Sequence, residues 1–354
     1  MKNFSFEIDF DDVLAPFCGI AVDIANEENP GLNATINDIK SWGNGEEGSK
    51  QSIIAKYYND ERILRKQQIS DEAKNFIYKL MDIGDVYINT AVAPKYAGLR
   101  YEQIAEQLPD FPLENVILTF SKQTVKVDFQ LDDGGHNILK SQAKYPILMR
   151  RPWNSHLSGV LAVNDYSEFF LLVDQIIHAS SKKVKPTVPS VLALIGPSGC
   201  NKNAIADKLS EDGFAMRIHS VTTGMPSDNH DKVTESEFSS LKFISHTVYA
   251  GNRYGIPKDA IEEALASGLN AVIPTDITGA IAMKKEYPVL LIFCKASHEY
   301  MIDKILDKGL DNEAIKYRWL SMEKELLNKE LCDVIVNSER INEAVEIIKG
   351  LFSQ

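Results

Sequence analysis

The sequence predicts two α/β domains in tandem, each built around a parallel sheet. Short apolar runs alternate with amphipathic helical patterns in both halves of the chain, which is typical of β-α units. A length of 354 residues fits two domains of ordinary size. Residues 181–189 are rich in serine, lysine and proline, as is typical of a linker. We therefore predict one domain over residues 1–180 and a second over residues 190–354.

Composition and charge restrict the class of protein. Hydrophobic residues make up 44% of the chain and charged residues 25%, as in globular proteins. The net charge of −12 argues against nucleic acid or an anionic membrane as the main partner. The four cysteines lack metal-ligand spacing, no signal peptide is visible, and no stretch has the length of a membrane-spanning helix. We expect a cytoplasmic protein with reduced thiols, and its oligomeric state stays open.

The elements of the first half follow in order. Alternating or apolar runs predict strands at 4–10, 86–90, 116–119, 129–131 and 145–149, the last of them closing the sheet. A polar, helical region of about residues 18–70 follows the first strand. Ser70 is predicted to cap a helix that Gly84 ends, and residues 167–178 form a further amphipathic helix.

The second half contains two wholly apolar runs, residues 191–195 and 289–294, which predict buried parallel strands. Residues 333–337 are predicted to be the last strand and residues 341–352 the closing helix.

Carboxylates mark the end of the first strand. Asp9 and Asp11 stand two residues apart where open α/β sheets place their ligands. Such a pair, with a backbone carbonyl, can attack phosphorus, move a proton and bind Mg²⁺. Alone, the pattern D-x-D is more often a solvated acidic turn.

Three further features favour phosphate chemistry. Thr90 ends the second strand and can bind a phosphate oxygen. Lys122 can neutralise a phosphoryl group, and Asp132 with Asp133 ends another strand and can complete a metal site. The order D-x-D, Thr, Lys, Asp-Asp therefore favours a phosphate and metal site over a solvated turn.

This ordered set resembles the haloacid dehalogenase superfamily. The stretches IDFDDVLAPF, VYINTAVAPK, FPLENVILTFSKQTVKVDFQLDDGGHNI and PILMRRPWN are similar to the cytosolic and mitochondrial 5′(3′)-deoxyribonucleotidases, over about residues 4–156. The resemblance implies a Rossmann-like core with a small helical cap at about residues 18–70, and a nucleoside monophosphate substrate. It implies a nucleophile at Asp9, a general acid/base at Asp11, phosphate ligands at Thr90 and Lys122, and a Mg²⁺ site formed by Asp9, Asp11, Asp132 and Asp133. Asp12 replaces a small family residue, and we expect it to face solvent or to cap the next turn.

The stretch GPSGCNKNA in the second half is an altered phosphate-binding loop. Gly196, Ser198, Gly199 and Lys202 fit the pattern G-x-x-x-x-G-K-[ST], whereas Asn201 and Asn203 replace the second glycine and the hydroxyl residue. Asparagine tolerates a positive φ, so Asn201 can keep the loop shape. Asn203 misplaces the side chain that would bind Mg²⁺.

Residues 190–354 resemble guanylate kinase. The similar stretches are LALIGPSGCNKNAIADKL, HSVTTGMP, GNRYGIPKDAIEEALASGLNAVIPTDITGA and CDVIVNSERINEAVEIIKGLF. The resemblance implies a P-loop parallel-sheet domain that binds nucleotide or phosphate through Gly196, Ser198, Gly199, Asn201, Lys202, Asn203, Tyr254, Asp276 and Arg318.

The family's acceptor site is depleted. Gly224 and Ser227 replace the two arginines that bind the GMP phosphate, and the guanine-reading glutamate falls at about Ser245. The lid arginines are replaced within LDKGLD. We expect weak binding of ATP or GTP and no phosphorylation of GMP.

Three functions stay open. The leading one is a Mg²⁺-dependent 5′-nucleotidase fused to a degenerate guanylate-kinase-like domain that binds nucleotide or regulates. One alternative is a bifunctional enzyme whose kinase uses another acceptor. The other is a phosphatase whose second domain binds a protein.

Overall fold

Parallel strands with buried side chains form the centre of each half of the chain. The computed structural model describes residues 4–353 except 156, 158, 179–185, 227–229, 250–251, 308 and 310–311. The chain divides into two units, Met1–Tyr166 and Ser167–Gln354. Most of the predicted linker, residues 181–185, lies outside the described residues. No described helix combines the length and the apolar character needed to cross a membrane.

The first unit contains a six-stranded sheet. Its strands are β1 (Phe4–Asp9), β2 (Gly84–Thr90), β3 (Val116–Leu118), β4 (Phe129–Asp132), β5 (Tyr145–Met149) and β6 (Leu161–Val163). They are all parallel in the order β3-β2-β1-β4-β5-β6. The strand order reverses beside β1, so a crevice is expected at the carboxyl ends of β1 and β4. This order is that of a Rossmann-like core, as predicted.

One strand of this sheet was not predicted. We expected β5 to close the sheet, and that expectation is wrong because β6 pairs with it. β6 has only three residues, Leu-Ala-Val, and a run this short shows no periodicity that would distinguish a strand.

Helices accompany the sheet of the first unit, and the first three of them lie in its cap. The helices are α1 (Cys18–Glu28), α2 (Lys50–Ile54), α3 (Glu61–Lys66), α4 (Asp71–Ile83), α5 (Ala97–Gln107) and α6 (Gly135–Lys140). α1 to α3 lie within the predicted cap and share one apolar cluster, which includes Ile24, Ile54, Ile63 and Trp153. Ser70 caps α4 as predicted, because its Oγ accepts a hydrogen bond of 3.1 Å from the N–H of Ala73.

The second unit begins within α7 (Tyr166–His178) and contains two sheets. The five-stranded sheet is parallel, in the order β15 (Val334–Asn337), β14 (Val289–Lys295), β7 (Val191–Ile195), β13 (Asn270–Pro274) and β8 (Ala215–Arg217). The four-stranded sheet is mixed, in the order β10 (His230–Lys232), β9 (Ser220–Thr222), β12 (Asn252–Pro257) and β11 (Phe243–Tyr249). A two-domain α/β fold with parallel sheets is thus confirmed.

Seven helices surround these sheets among the described residues: α8 (Lys202–Glu211), α9 (Glu235–Ser240), α10 (Lys258–Ala266), α11 (Ile277–Met283), α12 (His298–Leu306), α13 (Asn312–Leu327) and α14 (Ile341–Gly350). All five residues of β7 are buried, as their wholly apolar sequence predicts. The loop after β7 leads directly into α8 and is the altered phosphate-binding loop.

A polar layer crosses the interior of the first sheet. Glu7 of β1 is 1% exposed, and its Oε1 accepts hydrogen bonds from Asn89 Nδ2 at 2.7 Å and Gln130 Nε2 at 3.3 Å. Glu7 Oε2, Asn89 Oδ1 and Gln130 Oε1 have no partner among the described residues. Burial raises the pKa of Glu7 to about 7 from its ordinary value of 4.5, against the effect of these bonds. The burial of this layer therefore favours a proton on Glu7.

We predict that Glu7→Gln stabilises the first unit at pH 8. Because the pKa of Glu7 is raised, the folded state binds this proton more tightly than the unfolded state does. The resulting stability is present below pH 4.5 and is lost as pH rises through about 7. A neutral glutamine should recover about 1–3 kcal/mol at pH 8 and much less at pH 5. Thermal unfolding in EDTA at both pH values measures the difference, with the exposed Glu102→Gln as the matched control. A Glu7→Gln protein that melts below wild type at pH 8 would contradict the prediction.

Candidate functional site

The carboxyl ends of two neighbouring strands bring two aspartates to one lysine. Asp9 is the last residue of β1 and Asp132 the last of β4. Lys122 Nζ lies 2.6 Å from Asp9 Oδ1 and 2.9 Å from Asp132 Oδ2. All three side chains are buried. Burial alone would lower the pKa of Lys122, but the Asp132 and Asp9 carboxylates raise it overall, so the lysine stays charged.

Three carboxylates form a cluster around this lysine. Oxygen atoms of Asp9, Asp132 and Asp133 all lie within 4.8 Å of one another. Burial raises the pKa of Asp9 and of Asp133, and the neighbouring carboxylates add to the shift. When all three carboxylates are ionised, the cluster carries more buried negative charge than the single charge of Lys122 offsets. Hard oxygen donors with such an excess of charge fit a divalent cation such as Mg²⁺.

Hydrogen bonds fix Asp132, which ends β4, and Asp133, which begins the loop after it. Asp132 Oδ1 accepts from the N–H of Gly134 at 2.7 Å and from Asn137 Nδ2 at 3.0 Å. Trp153 Nε1 donates to Asp133 Oδ2 at 2.8 Å. Because Trp153 also packs in the apolar cluster of the cap, the cap core and the acidic cluster share a side chain.

Asn137 and Trp153 were not predicted as site residues from the sequence. Both stand inside stretches that resemble the nucleotidases, but neither belongs to a spaced motif. The resemblance was the only signal that points to them.

Asp11 lies at the edge of this cluster, with its carboxylate outside the group of three. Its Oδ1 accepts hydrogen bonds from Gln67 Nε2 at 2.7 Å and Arg100 Nη2 at 2.9 Å. Its Oδ2 lies 3.4 Å from the hydroxyl of Thr90, the last residue of β2. The structure thus brings Thr90 to Asp11, and it adds Gln67 and Arg100, which no local sequence pattern indicates.

Asp12 has a structural part in the same loop. Its φ is 55°, in the left-handed region that favours glycine and tolerates aspartate. Its Oδ1 accepts from the N–H groups of Phe17 at 2.9 Å and Cys18 at 3.0 Å, where α1 begins. Of the two expectations for Asp12, capping of the next turn is therefore confirmed. Burial raises the pKa of its carboxyl group.

The cap reaches the acidic edge through an aromatic contact. Trp42 is 58% exposed, and its ring centroid lies 4.6 Å from that of His136, three residues after Asp133. Burial lowers the pKa of His136, so its imidazole favours the neutral form beside the tilted indole ring.

The altered loop of the second unit turns tightly at positions where a side chain would clash. Gly196 has φ 146° and Gly199 φ 89°, and a Cβ at either position would lie within 2.7 Å of a backbone oxygen, that of Cys294 or Met301. Asn201 has φ 55°, which is the left-handed conformation expected of it. Its side chain adds contacts that glycine lacks, because Nδ2 donates to the carbonyl of Ser338 at 2.9 Å and to the hydroxyl of Tyr300 at 2.8 Å.

Cations of the second unit contact the same loop. Lys202, the first residue of α8, donates from Nζ to the carbonyls of Gly196 and of Pro197, the latter at 3.0 Å. Arg318 Nη1 donates to Ser198 Oγ at 2.8 Å. Asn203 follows Lys202 in α8. Gly196, Ser198, Gly199, Asn201, Lys202, Asn203 and Arg318 thus belong to one loop or lie next to it.

Two other predicted residues lie in different elements. Tyr254 is in β12, where its ring meets that of His230 edge-on at 5.1 Å between centroids. Asp276 caps α11, because its Oδ1 accepts from the N–H of Gly279 at 2.8 Å. Gly224 presents no side chain to an acceptor phosphate, and Ser227 lies outside the described residues.

Comparison with known proteins separates the two halves. Residues 3–181 match the family model described as 5′ nucleotidase, deoxy (pyrimidine), cytosolic type C protein, and residues 189–354 match the guanylate kinase model. The guanylate kinase of Listeria innocua is 25% identical over 177 residues, 46% of this chain and 86% of that protein. The guanylate kinase of Rickettsia bellii is 28% identical over 178 residues, 46% of this chain and 93% of that protein.

Among solved structures, a guanylate kinase from Anaplasma phagocytophilum matches with a TM-score of 0.36 and 22% identity, covering 48% of this chain and 88% of that one. The first of the two family models covers half of the chain. The chain therefore belongs, through residues 3–181, to the family of the cytosolic type C deoxy (pyrimidine) 5′ nucleotidases, and its residues 189–354 resemble guanylate kinase.

Proposed function

We propose that the first unit is a Mg²⁺-dependent phosphohydrolase that releases phosphate from a (deoxy)nucleoside 5′-monophosphate. The observation that carries the proposal is the buried group of Asp9, Lys122 and Asp132, with Asp133 beside it, at the switch point of the sheet. Membership of the nucleotidase family supports a nucleotide as substrate.

The reaction divides into two displacements at phosphorus. A carboxylate oxygen of Asp9 attacks phosphorus, the bond to O5′ breaks with its electron pair on O5′, and Asp11 gives that oxygen a proton. Asp11 then takes a proton from water as the water attacks the aspartyl-phosphate, and Asp9 leaves with its electron pair. The two steps return both aspartates to their starting states.

The other residues hold the phosphoryl group. Lys122 and Thr90 neutralise and orient its oxygens, since both lie within reach of an aspartate that takes part. Asp9, Asp132 and Asp133, with Asp11 through its backbone carbonyl, would hold Mg²⁺. The ion supplies positive charge that offsets the repulsion between the phosphate and the carboxylates.

For the second unit we infer weak ATP or GTP binding without transfer to GMP. The retained glycines, Lys202 and Arg318 favour binding of phosphate, and the N-terminus of α8 adds a favourable dipole. The absence of side-chain charge at Gly224 disfavours an acceptor phosphate. One alternative is an active kinase with another acceptor, and the other is a protein-binding module. Nucleotide binding would distinguish the protein-binding module from the other two hypotheses.

We expect Asp9→Asn to abolish phosphate release, by at least about 1,000-fold, because an amide neither forms an aspartyl-phosphate nor binds Mg²⁺ well. Phosphate release from a panel of nucleoside monophosphates measures the loss. Asp85→Asn, an exposed aspartate on β2, is the matched control and should keep full activity. Near-native turnover by Asp9→Asn would show that Asp9 is not the nucleophile.

We expect Mg²⁺ to bind the first unit more tightly at pH 8 than at pH 6. The raised pKa values of Asp9 and Asp133 mean that protons compete with the ion, and this competition fades as pH rises. Calorimetric titration in buffers of different ionisation enthalpy measures both the affinity and the protons released. An affinity that is equal at the two pH values, or unchanged in Asp133→Asn, would argue against this site.

We expect the second unit to bind ATP or GTP weakly and to form no ADP in the presence of GMP. Asn203→Ser combined with Asn201→Gly should tighten Mg²⁺-nucleotide binding, since a hydroxyl at this position binds Mg²⁺. It should not restore transfer, because the acceptor phosphate still lacks its arginines. Calorimetry and a coupled ADP assay measure the two effects, and Lys202→Met is the control that should lose binding. Robust GMP-dependent ADP formation by the unmodified protein would establish the bifunctional alternative instead.

A further inference from the structure

One face of helix α5 is polar although it packs against the protein. Arg100, Gln103 and Gln107 recur at intervals of three and four residues, so they lie on the same side of the helix. Arg100 is 1% exposed and Gln103 is 7% exposed. Buried polar side chains need hydrogen-bond partners, and each of these three donates at least one hydrogen bond to the chain that leaves the cap.

The glutamines of this face fix the segment around Gln67. Gln103 Nε2 donates to the carbonyl of Leu64. Gln107 Oε1 accepts from the N–H of Ile69 at 2.6 Å, and its Nε2 donates to the carbonyl of Gln67 at 3.2 Å. The backbone on both sides of Gln67 is therefore held, and its fully buried side chain is directed to Asp11.

The two oxygens of Asp11 differ in their partners. Oδ1 accepts two N–H bonds, from Gln67 at 2.7 Å and from Arg100 at 2.9 Å. Oδ2 contacts the Thr90 hydroxyl at 3.4 Å. An oxygen whose lone pairs already accept two N–H donors is a poor place for a proton. In the acid form of Asp11 the proton therefore resides on Oδ2.

Arg100 is held against the loop that follows β1. Its guanidinium carbon lies 3.9 Å from the centroid of the Phe10 ring, and Nη2 also donates to Gln67 Oε1 at 3.2 Å. Its Nε and Nη1 have no partner among the described residues. A buried cation with one carboxylate partner destabilises a fold relative to an apolar side chain, so packing alone does not account for it.

Resting on the proposed function, we propose that Arg100 and Gln67 are positioning residues that select Oδ2 of Asp11 as the proton-carrying oxygen and aim it at the phosphate site beside Thr90. In the first displacement Oδ2 gives its proton to the leaving oxygen while the P–O bond breaks and its electron pair stays on that oxygen. In the second displacement Oδ2 takes a proton from the attacking water. Arg100 and Gln67 neither gain nor lose a proton in either step.

The leaving group provides the test. Phenyl phosphate and p-nitrophenyl phosphate have similar shapes, but p-nitrophenolate departs without needing a proton. The value of kcat/KM reports the steps up to transfer to Asp9, so it isolates proton donation to the leaving oxygen. We would measure it on the full-length protein with Mg²⁺ for wild type, Arg100→Met, Arg100→Lys and Gln67→Leu. The exposed Arg65→Met, from an ion pair within α3, is the matched control.

We expect Arg100→Met to lose about 10- to 100-fold on phenyl phosphate and less than about threefold on p-nitrophenyl phosphate, since general acid catalysis contributes about this much. Arg100→Lys should recover part of the loss, Gln67→Leu should show the same dependence on the leaving group, and Arg65→Met should match wild type. Equal losses on both substrates, or a Lys variant no better than Met, would overturn the proposal. If circular dichroism shows that Arg100→Met does not fold, Gln67→Leu decides, because it removes only a neutral group.

Failure of the proposed function gives a different result. Wild type would then release phosphate from neither the aryl phosphates nor any nucleoside monophosphate. An active wild type with a loss that ignores the leaving group rejects the positioning role alone.

Discussion

The contact of one buried lysine with two buried aspartates constrains the carboxylate cluster at the carboxyl ends of β1 and β4. Asp9, Asp132 and Asp133 repel one another in a region where water does not screen them, and Lys122 is the cation that touches two of them. The sheet order places β1 beside β4, so the carboxyl ends of these two strands are neighbours. The position of Lys122 is then dictated by charge. Thr90, Gln67 and Arg100 are arranged around the neighbouring Asp11 instead.

The sequence predicted the features that rest on a run of apolar residues or on a short spacing of acidic residues. Runs of apolar residues predicted β5 and β7 at their observed bounds, and the D-x-D and Asp-Asp pairs stood at strand ends where a sheet gathers ligands. Gln67, Arg100 and Asn137 could not be found in this way. Each contacts an aspartate with which it shares no spaced motif, and such a contact leaves no pattern in the sequence that identifies it. The three-residue strand β6 escaped for a related reason, because pairing with β5 defines it more than its own residues do.

The second unit shows how a substitution can preserve shape while it changes chemistry. Asn201 takes the left-handed conformation that a glycine would take, and its amide adds contacts to Ser338 and Tyr300. The loop therefore keeps its path, and Lys202 rests on its carbonyls. Conformation was foreseeable from asparagine's tolerance of positive φ. The added contacts were not, because Ser338 lies 137 residues away in the chain.

The pairing of Arg100 with Asp11 makes the two residues unequal in their effect on stability. A protein that has Asp11 without Arg100 keeps a partly exposed carboxylate, which water can solvate. A protein that has Arg100 without Asp11 keeps a guanidinium that is 1% exposed and has lost its anion, and such a state is strongly destabilised. The arginine is therefore tolerated in this fold only where the aspartate is present. A variant that loses Asp11 needs Arg100 replaced with it, whereas Arg100 can be replaced alone.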